Sequence, residues 1–247
     1  MQGSEWSTAK FGVQASPSQF ALKNAVLVSS HQGKALFNAT VVLKDWAYRP
    51  SSPINVSLTV QRMAMADLQR LANMHYPASG DLTADIVLHG SENNPVGHGT
   101  ARIDNAIAYD EPIQHLEATF RADKKSLTSD VDVALPAGSV TGTVAYTPEN
   151  KAYILRLNAP SLALQKLRMV QTKNLGISGT LTISANGEGT LDKPQLMAIA
   201  QVPQLQLRDK SISQIKAQLE LSNQRANLTL DSQVAESAVH SLSLIHI

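Results

Sequence analysis

The sequence contains no cysteine, which excludes disulfide bonds, thiolate nucleophiles and cysteine-based metal sites. Aromatic residues are also scarce, at 4% of the 247 residues, while 43% of the chain is hydrophobic. A compact core ordinarily holds more large rings, so the interior is expected to be thin or built from aliphatic side chains alone. This composition suits a long shallow groove better than a thick core.

The sequence also has no large excess of positive or of negative charge. The formal net charge is +1, and Lys and Arg are scattered singly, so the sequence predicts no nucleic-acid partner and no binding to anionic membranes by bulk charge. No apolar run approaches the roughly 20 residues of a membrane span, and residues 1–6 lack the parts of a signal peptide. Two interpretations fit: a soluble cytoplasmic protein, or an internal piece of a longer exported chain, which we expect.

The chain lacks recognisable catalytic or metal-binding motifs. None of its seven histidines has a metal-ligand spacing, although His89 and His98 could meet across a hairpin, and GxSxG, P-loop and GxGxxG patterns are missing. We therefore predict a protein that is not an enzyme and has no metal or cofactor. Carboxylates that could be imagined as acid-base pairs are predicted to lie on solvated strand faces: Asp81, Asp85, Glu92, Asp130 and Asp132.

What the sequence does have is alternation of apolar and polar residues in segments of seven to ten residues, typical of antiparallel strands with one buried face. It predicts a mostly β fold of roughly a dozen strands, arranged as an elongated, curved antiparallel sheet with an open groove. The residues predicted to line the groove are Phe37, Val41, Leu43, Val56, Leu58, Val60, Leu82, Ile86, Leu88, Leu116, Phe120, Val131, Val133, Val140, Val144, Leu155, Leu157, Leu181, Ile183, Leu196, Ile215 and Leu219.

Two segments break the period of two. In residues 63–74 (MAMADLQRLANM) and 161–172 (SLALQKLRMVQT), apolar residues recur at helical spacing, which predicts two short amphipathic helices.

These segments belong to an internal repeat with a period of 99 residues. At that offset Leu58 matches Leu157, and Gly90 matches Gly189. The predicted organisation is the end of a preceding repeat at 1–53, a first repeat at 54–153, a partial second repeat at 154–240, and a non-native tail at 241–247 that does not continue the pattern. We expect further repeats on both sides of this segment.

Each repeat contains an S-G-x-L strand that ends in glycine and is followed by a turn with proline. These are residues 79–90 with Asn93-Asn94-Pro95, and residues 178–189 with Asp192-Lys193-Pro194. With the leucine-bearing helix upstream, this pattern resembles the AsmA-like and TamB (translocation and assembly module) superfamily over roughly residues 54–235. The family's N-terminal membrane anchor and C-terminal domain are not recognisable here, so the resemblance does not assign a subfamily.

The resemblance implies a taco-shaped sheet in the periplasm, bridging the inner and outer membranes of a Gram-negative-type envelope. It implies lipid transport in which the groove shields phospholipid acyl chains, or a role in outer membrane biogenesis, with an outer-membrane barrel protein as a further partner. The full-length protein would be anchored in the inner membrane.

Two other interpretations stay open at this stage. The sheet could close on itself as a sandwich or barrel with an ordinary core, or the chain could be an adhesin-like surface repeat with a structural or binding role only. The scarcity of bulky residues favours the open groove.

Overall fold

The computed structural model describes residues 6–222, 225–234 and 237–246, most of which lie in strands. In chain order the strands are β1 (Trp6–Ser16), β2 (Gln19–Ser29), β3 (Lys34–Val42), β4 (Ile54–Ala64), β5 (Ala78–Gly90), β6 (Pro95–Ala108), β7 (Glu111–Ile113), β8 (His115–Asp123), β9 (Leu127–Leu135), β10 (Gly138–Thr147), β11 (Ala152–Ala163), β12 (Ile177–Thr190), β13 (Lys193–Leu207), β14 (Lys210–Ser222), β15 (Arg225–Val234) and β16 (Ser237–His246).

The sixteen strands belong to one antiparallel sheet, so the predicted mostly β, antiparallel fold is confirmed. Among the described residues β1 pairs only with β2 and β16 only with β15, so the sheet does not close and a barrel is not formed. The sequence indicated about a dozen strands, and the structure has four more.

Both predicted helices are present and shorter than expected. Helix α1 spans Met65–Leu71, and the second segment forms a 3₁₀ turn at Leu164–Lys166 followed by α2 at Arg168–Thr172. The predicted starts at 63 and 161 were wrong by a few residues, because β4 and β11 continue through those positions. No helix in the described ranges is both long enough and apolar enough to cross a bilayer.

The chain forms two compact units. Unit 1 holds most residues up to Tyr109 together with His115–Ser129 and Thr147–Glu149. Its strand order is β1-β2-β3-β4-β5-β6-β8. Unit 2 holds Asp110–Gln114, Asp130–Tyr146 and most residues from Asn150 onward, and its strand order is β10 through β16.

The predicted 99-residue period is present in the hydrogen-bond register. The β4–β5 pairing is interrupted by a bulge between Val60 and Met63, and the β11–β12 pairing by a bulge between Ala159 and Leu162, each 99 residues later. A bulge bends the strand and re-aims the side chains that follow it. Both units therefore bend the same strand at the same place.

The last residue of β5 and of β12 must be glycine for the same reason in both copies. Gly90 and Gly189 have φ of 99° and 119°, a region that L side chains rarely adopt. A Cβ at either position would also strike a carbonyl of the following turn, that of Asn94 or of Lys193. The S-G-x-L strand must therefore end in glycine for its hairpin to close.

The offset between corresponding residues of the two repeats departs from 99 at the ends of the helices. The amide of Met74 donates to the carbonyl of Gln69 at 2.8 Å, and the amide of Leu175 to the carbonyl of Val170 at 3.1 Å, so these helix ends correspond at an offset of 101. The extra 3₁₀ turn at Leu164–Lys166 moves the second helix along the chain. A shorter connection to β12 restores the offset of 99 in the strands.

Very little of the molecule is buried. Met63 is the one large side chain among the described residues that is fully enclosed, and it forms a small cluster with Val60 and Ala84. Half-buried residues pack around this cluster: Trp6, Ala35, Leu58, Leu68, Leu82 and Ala101. The fold of unit 1 therefore has a local core at one end of its sheet rather than a continuous packed layer.

Candidate functional site

In unit 1 the register collects apolar side chains onto one face of the sheet. Directly paired residues on antiparallel strands project to the same face, so each series of partners forms a cross-strand row. The rows on this face, named here the apolar face of unit 1, are Phe37-Leu58-Ile86-Gly99-Phe120, Ala39-Val56-Leu88-Gly97-Ala122, Ala35-Val60-Ala84-Ala101-Ala118 and Met63-Leu82-Ile103-Leu116.

The opposite face of the same strands is mostly polar. Thr59 donates its hydroxyl to Asp85 at 3.0 Å, and these two residues are cross-strand partners. Asn38 and Ser57 pair on the same face. The alternation in the sequence therefore separates an apolar from a hydrated surface, with Leu36, Val87 and Val96 as apolar exceptions on the polar side.

Two glycines in β6 keep the apolar face shallow. A Cβ on Gly97 would strike the carbonyl of Val87, so β5 and β6 approach closely there. The ring of Phe120 occupies the space that a side chain on its cross-strand partner Gly99 would need. The sequence pattern missed both positions, because a glycine adds no apolar side chain to an alternation.

Unit 2 repeats this face position by position. Each residue stands 99 places after its counterpart in unit 1, and the cross-strand pairs are the same except that Leu181 and Val202, the counterparts of Leu82 and Ile103, are separated by a bulge. The rows on the apolar face of unit 2 are Leu155-Gly187-Leu196-Leu221, Leu157-Ala185-Ala198-Leu219 and Ala159-Ile183-Ala200-Ala217, with the pairs Leu162-Leu181 and Val202-Ile215 beyond the bulges.

Most of the predicted lining residues therefore come together on these two faces. Val41 joins them through its partners Phe20 and Ile54, whereas Leu43 lies just past the end of β3. Four predicted residues lie on β9 and β10, where Val131, Val133 and Val140 are half-buried and Val144 is 36% exposed.

The sequence interpretation overlooked β2, which extends the apolar face of unit 1. Leu22 pairs with Ala39, and Ala25 pairs with Phe37. A bulge lies between the two pairs at Asn24, whose φ is +50°, so the apolar residues fall at a spacing of three instead of two. The signal was the shift in phase within residues 20–27.

The faces are buried next to the helices, where Met63 and Leu162 lie, and half-buried at the centre of unit 1, as at Phe37, Leu58 and Ile86. Helix α1 covers one end of the face, where Leu68 contacts the cluster around Met63.

A buried carboxylate holds α1 in place. Asp67 is 2% exposed, forms an ion pair with Arg70 and is hydrogen-bonded to Nδ1 of His31 at 3.2 Å. Burial opposes ionisation of this group, but hydrogen bonds from Arg70, His31 and Ser29 outweigh it and hold the pKa of Asp67 below its ordinary value. The helix is thereby tied to the turn between β2 and β3.

Each unit also contains a shallow depression, but on the polar side of the sheet. In unit 1 a depression of about 340 Å³ is bordered by β3, β4 and β5, and most of its lining residues alternate with the apolar rows: Asn38, Thr40, Asn55, Ser57, Val87 and His89. In unit 2 a depression of about 470 Å³ is bordered by β11 through β14, and its lining includes Arg156, Asn186, Glu188 and Glu220. The depressions lie at corresponding places at the 99-residue offset, and neither is lined mainly by the apolar rows.

The residues weighed for catalysis lie apart from these faces. His89 and His98 are on β5 and β6, where they pair with Val96 and Val87 on the polar side. Within the described ranges, no three His, Asp or Glu side chains are grouped to hold a metal ion. That the chain is not an enzyme stays a prediction.

The predicted tail lies in β16 up to His246, and Ile247 lies outside the described residues. Its register interrupts the apolar pattern, since Ser241 and Ser243 pair with Leu230 and Leu228, while Leu242 is 68% exposed. Its non-native origin and the repeat boundaries stay predictions.

No protein-family model matches this sequence, and no curated protein and no solved structure matches it either.

Proposed function

We propose that the apolar faces of both units hold the acyl chains of phospholipids, and that the chain is part of a lipid-transfer protein rather than an enzyme. The observation that carries the proposal is the repetition of the same aliphatic rows, position by position, on one face of each unit. At the centre of unit 1 the chain itself covers these rows only in part, since Leu58 and Ile86 are half-buried, so a ligand can cover the rest.

The energetics favour such a ligand. Covering an acyl chain removes roughly 0.8 kcal/mol of unfavourable hydration for each methylene group. The same contact removes water from Leu58, Ile86 and their neighbours, which the chain alone leaves half-buried. Contact therefore removes unfavourable hydration from both the acyl chain and the apolar face, and neither surface needs a polar partner.

The lining favours movement over tight fixation. The rows contain aliphatic residues, two phenylalanines and glycines, and their cross-strand pairs carry no charged side chain. A surface without donors or charges offers an acyl chain no preferred register, so the chain can slide.

The resemblance to the AsmA-like and TamB superfamily supplies the setting that we propose. The chain would act in the periplasm of a Gram-negative-type envelope, in lipid transport toward the outer membrane or in outer membrane biogenesis, as part of a protein anchored in the inner membrane. An outer-membrane barrel protein would be its second partner.

The test is native mass spectrometry of the chain after expression in a Gram-negative bacterium, with extraction and identification of bound lipid. Ile86→Asp places a charge at the centre of the apolar face, and Val87→Asp places the same charge on the opposite face of the same strand. Leu157→Asp and Asn158→Asp form the matching pair in unit 2.

We expect phospholipid with the unmodified chain, a several-fold loss in Ile86→Asp and Leu157→Asp, and no loss in the two controls. Circular dichroism checks that each variant is folded. A folded chain that carries no lipid, or equal losses in variants and controls, would contradict the proposal and favour a structural or adhesive role.

A further inference from the structure

Four large side chains at the α1 end of unit 1 are far more exposed than those of the apolar face. Leu71 and Tyr76 are each 61% exposed, Met74 is 50% exposed and Tyr109 is 75% exposed. We name these four residues the α1 rim. Leu71 is the last residue of helix α1, Met74 and Tyr76 lie in the loop after it, and Tyr109 follows strand β6. All four are at the end of the sheet where Asp67 is buried.

The backbone beneath the α1 rim is held by hydrogen bonds. The side chain of Gln69 donates to the carbonyl of Ala78 at 2.7 Å and accepts from the amide of Tyr76 at 2.9 Å. The amide of Tyr109 donates to the carbonyl of Pro77 at 2.8 Å. The two tyrosines are therefore presented from neighbouring segments of an ordered loop.

The second repeat shows that the fold does not require two of these residues, Tyr109 and Leu71. Arg208 takes the place of Tyr109, with nearly the same φ (53° against 51°) and the same kind of hydrogen bond, to the carbonyl of Gly176. Matching the helix ends places Thr172 at the position of Leu71. At these two positions of the α1 rim the fold therefore does not require an apolar residue, whereas Met74 corresponds to Leu175, which is also apolar.

The chemistry of the α1 rim matches the interface of a lipid bilayer. Residues 71–80 include no Lys, Arg, Asp or Glu, and the adjacent Arg70 is paired with Asp67. Leu and Met supply hydrocarbon, while a tyrosine ring buries its body and keeps its hydroxyl in the headgroup layer. Four side chains fall short of the roughly 800 Å² that each partner contributes to a standard protein interface, which disfavours a protein partner.

We propose that the α1 rim is a membrane-contact site that inserts into the interfacial layer of a bilayer. Contact would rest on partition of these side chains rather than on charge, so vesicles of uncharged, zwitterionic phospholipid suffice as the partner. The proposal does not depend on acyl-chain binding by the apolar faces.

The experiment is flotation of the full chain with phosphatidylcholine vesicles at low and high salt. The test variant combines Leu71→Thr with Tyr109→Arg, the residues that the second repeat carries at these places. The control is Trp46→Ser, which removes a 61% exposed aromatic side chain from the loop between β3 and β4, at the opposite end of β4.

We expect the unmodified chain and Trp46→Ser to float alike and independently of salt, and the double variant to lose about tenfold in partition. Absence of flotation, flotation that salt abolishes, or an unchanged double variant would each overturn the proposal. Self-association that the double variant relieves, without vesicle binding, would identify a second copy as the partner and overturn it as well.

The two proposals fail separately. The double variant keeps both apolar faces, so it should retain any co-purified phospholipid. Ile86→Asp keeps the α1 rim, so it should still float with vesicles.

Discussion

The two units contain the same strands but different strand ends. Sixteen positions across four strands correspond at an offset of 99, including the pairs on either side of the bulges. At the α1 end, by contrast, unit 1 has the buried Asp67 and the exposed Tyr109, where unit 2 has the exposed Lys166 and Arg208. The face is the repeated feature, and the ends are where the copies differ.

Within the apolar face the two units place the large and the small residue of one cross-strand pair on different strands. Leu88 and Gly97 are partners in unit 1, and at the same places Gly187 and Leu196 are partners in unit 2. The large and the small residue have exchanged strands. This exchange shows that the size of a pair is constrained more than the identity of each member, as expected for a surface that must stay shallow.

The largest effect should come from the buried residue beyond the bulge. Met63→Ala removes the side chain that fills the cluster of unit 1, and Leu162→Ala removes its counterpart. Each should lower the free energy of unfolding by about 2–5 kcal/mol.

Trp6 and Trp46 both lie in unit 1, so tryptophan fluorescence in urea follows that unit, whereas circular dichroism follows both. Only Met63→Ala should shift the fluorescence midpoint strongly. Equal shifts from both variants would show that the units do not unfold separately.

A second test exchanges a cross-strand pair between the copies. Gly99→Ala should cost about 1–3 kcal/mol, because the new methyl group collides chiefly with the Phe120 ring and also approaches the backbone carbonyl of Asp85. Adding Phe120→Leu reproduces the Ala198–Leu219 pair of unit 2 and should recover most of that loss. A double-mutant cycle in urea measures the coupling; additive losses would show that the Phe120 ring is not the cause.

The ends of the units should respond differently to loss of charge. Asp67→Asn removes the negative charge and replaces one of the two carboxylate oxygens that face His31 and Arg70 with an amide donor, and should destabilise unit 1 by about 1–3 kcal/mol. Lys166→Ala in the exposed 3₁₀ turn should stay within about 0.5 kcal/mol of the unmodified chain. Thermal unfolding of both variants provides the comparison, and equal effects would contradict it.

The contribution of Asp67 should also depend on pH. Its pKa is lowered in the folded chain, so its stabilisation is fully present above the unfolded value of about 3.9 and is lost as pH falls through the folded pKa. The difference in unfolding free energy between the unmodified chain and Asp67→Asn should hold from pH 7 to about 5 and shrink below about 4. A difference that grows on acidification would show that Asp67 is not ionised.

The smallest change in stability is expected at the asparagine that follows the helix in each unit. Asn73 and Asn174 follow the two helices with φ of 53° and 47°. Alanine tolerates this left-handed region less well than asparagine, so Asn73→Ala and Asn174→Ala should each cost about 0.5–1 kcal/mol. Glycine at either position serves as the control and should not destabilise through φ; unequal costs in the two units would show that the helix ends are not equivalent.

Much of the fold follows from local pattern. The run from Ile54 to Val60 alternates without interruption, and β4 forms there with its apolar residues on one face. Strand β2 was not recognised, because its bulge at Asn24 changes the phase of alternation. A bulge is determined by pairing with a neighbouring strand, which a single segment cannot reveal.

The residues of the candidate site also fall into those that the sequence pattern identified and those that only the structure revealed. Ile86 and Leu88 were identified from alternation alone, but nothing local shows that Gly97 and Gly99 lie beside them. The depth of the face depends on those partners. Burial of Asp67 was likewise unpredictable, since the turn that covers it is 36 residues away in sequence.

The sequence by itself determined the period of two within strands, the period of 99 between copies and the scarcity of large side chains, because these are properties of neighbouring or equivalent residues. Only the tertiary structure decided which residues share a row, where the bulges fall, which carboxylate is buried and which apolar side chains stand exposed at the α1 rim. Those features depend on strand register, and register arises from contacts between segments that are distant along the chain.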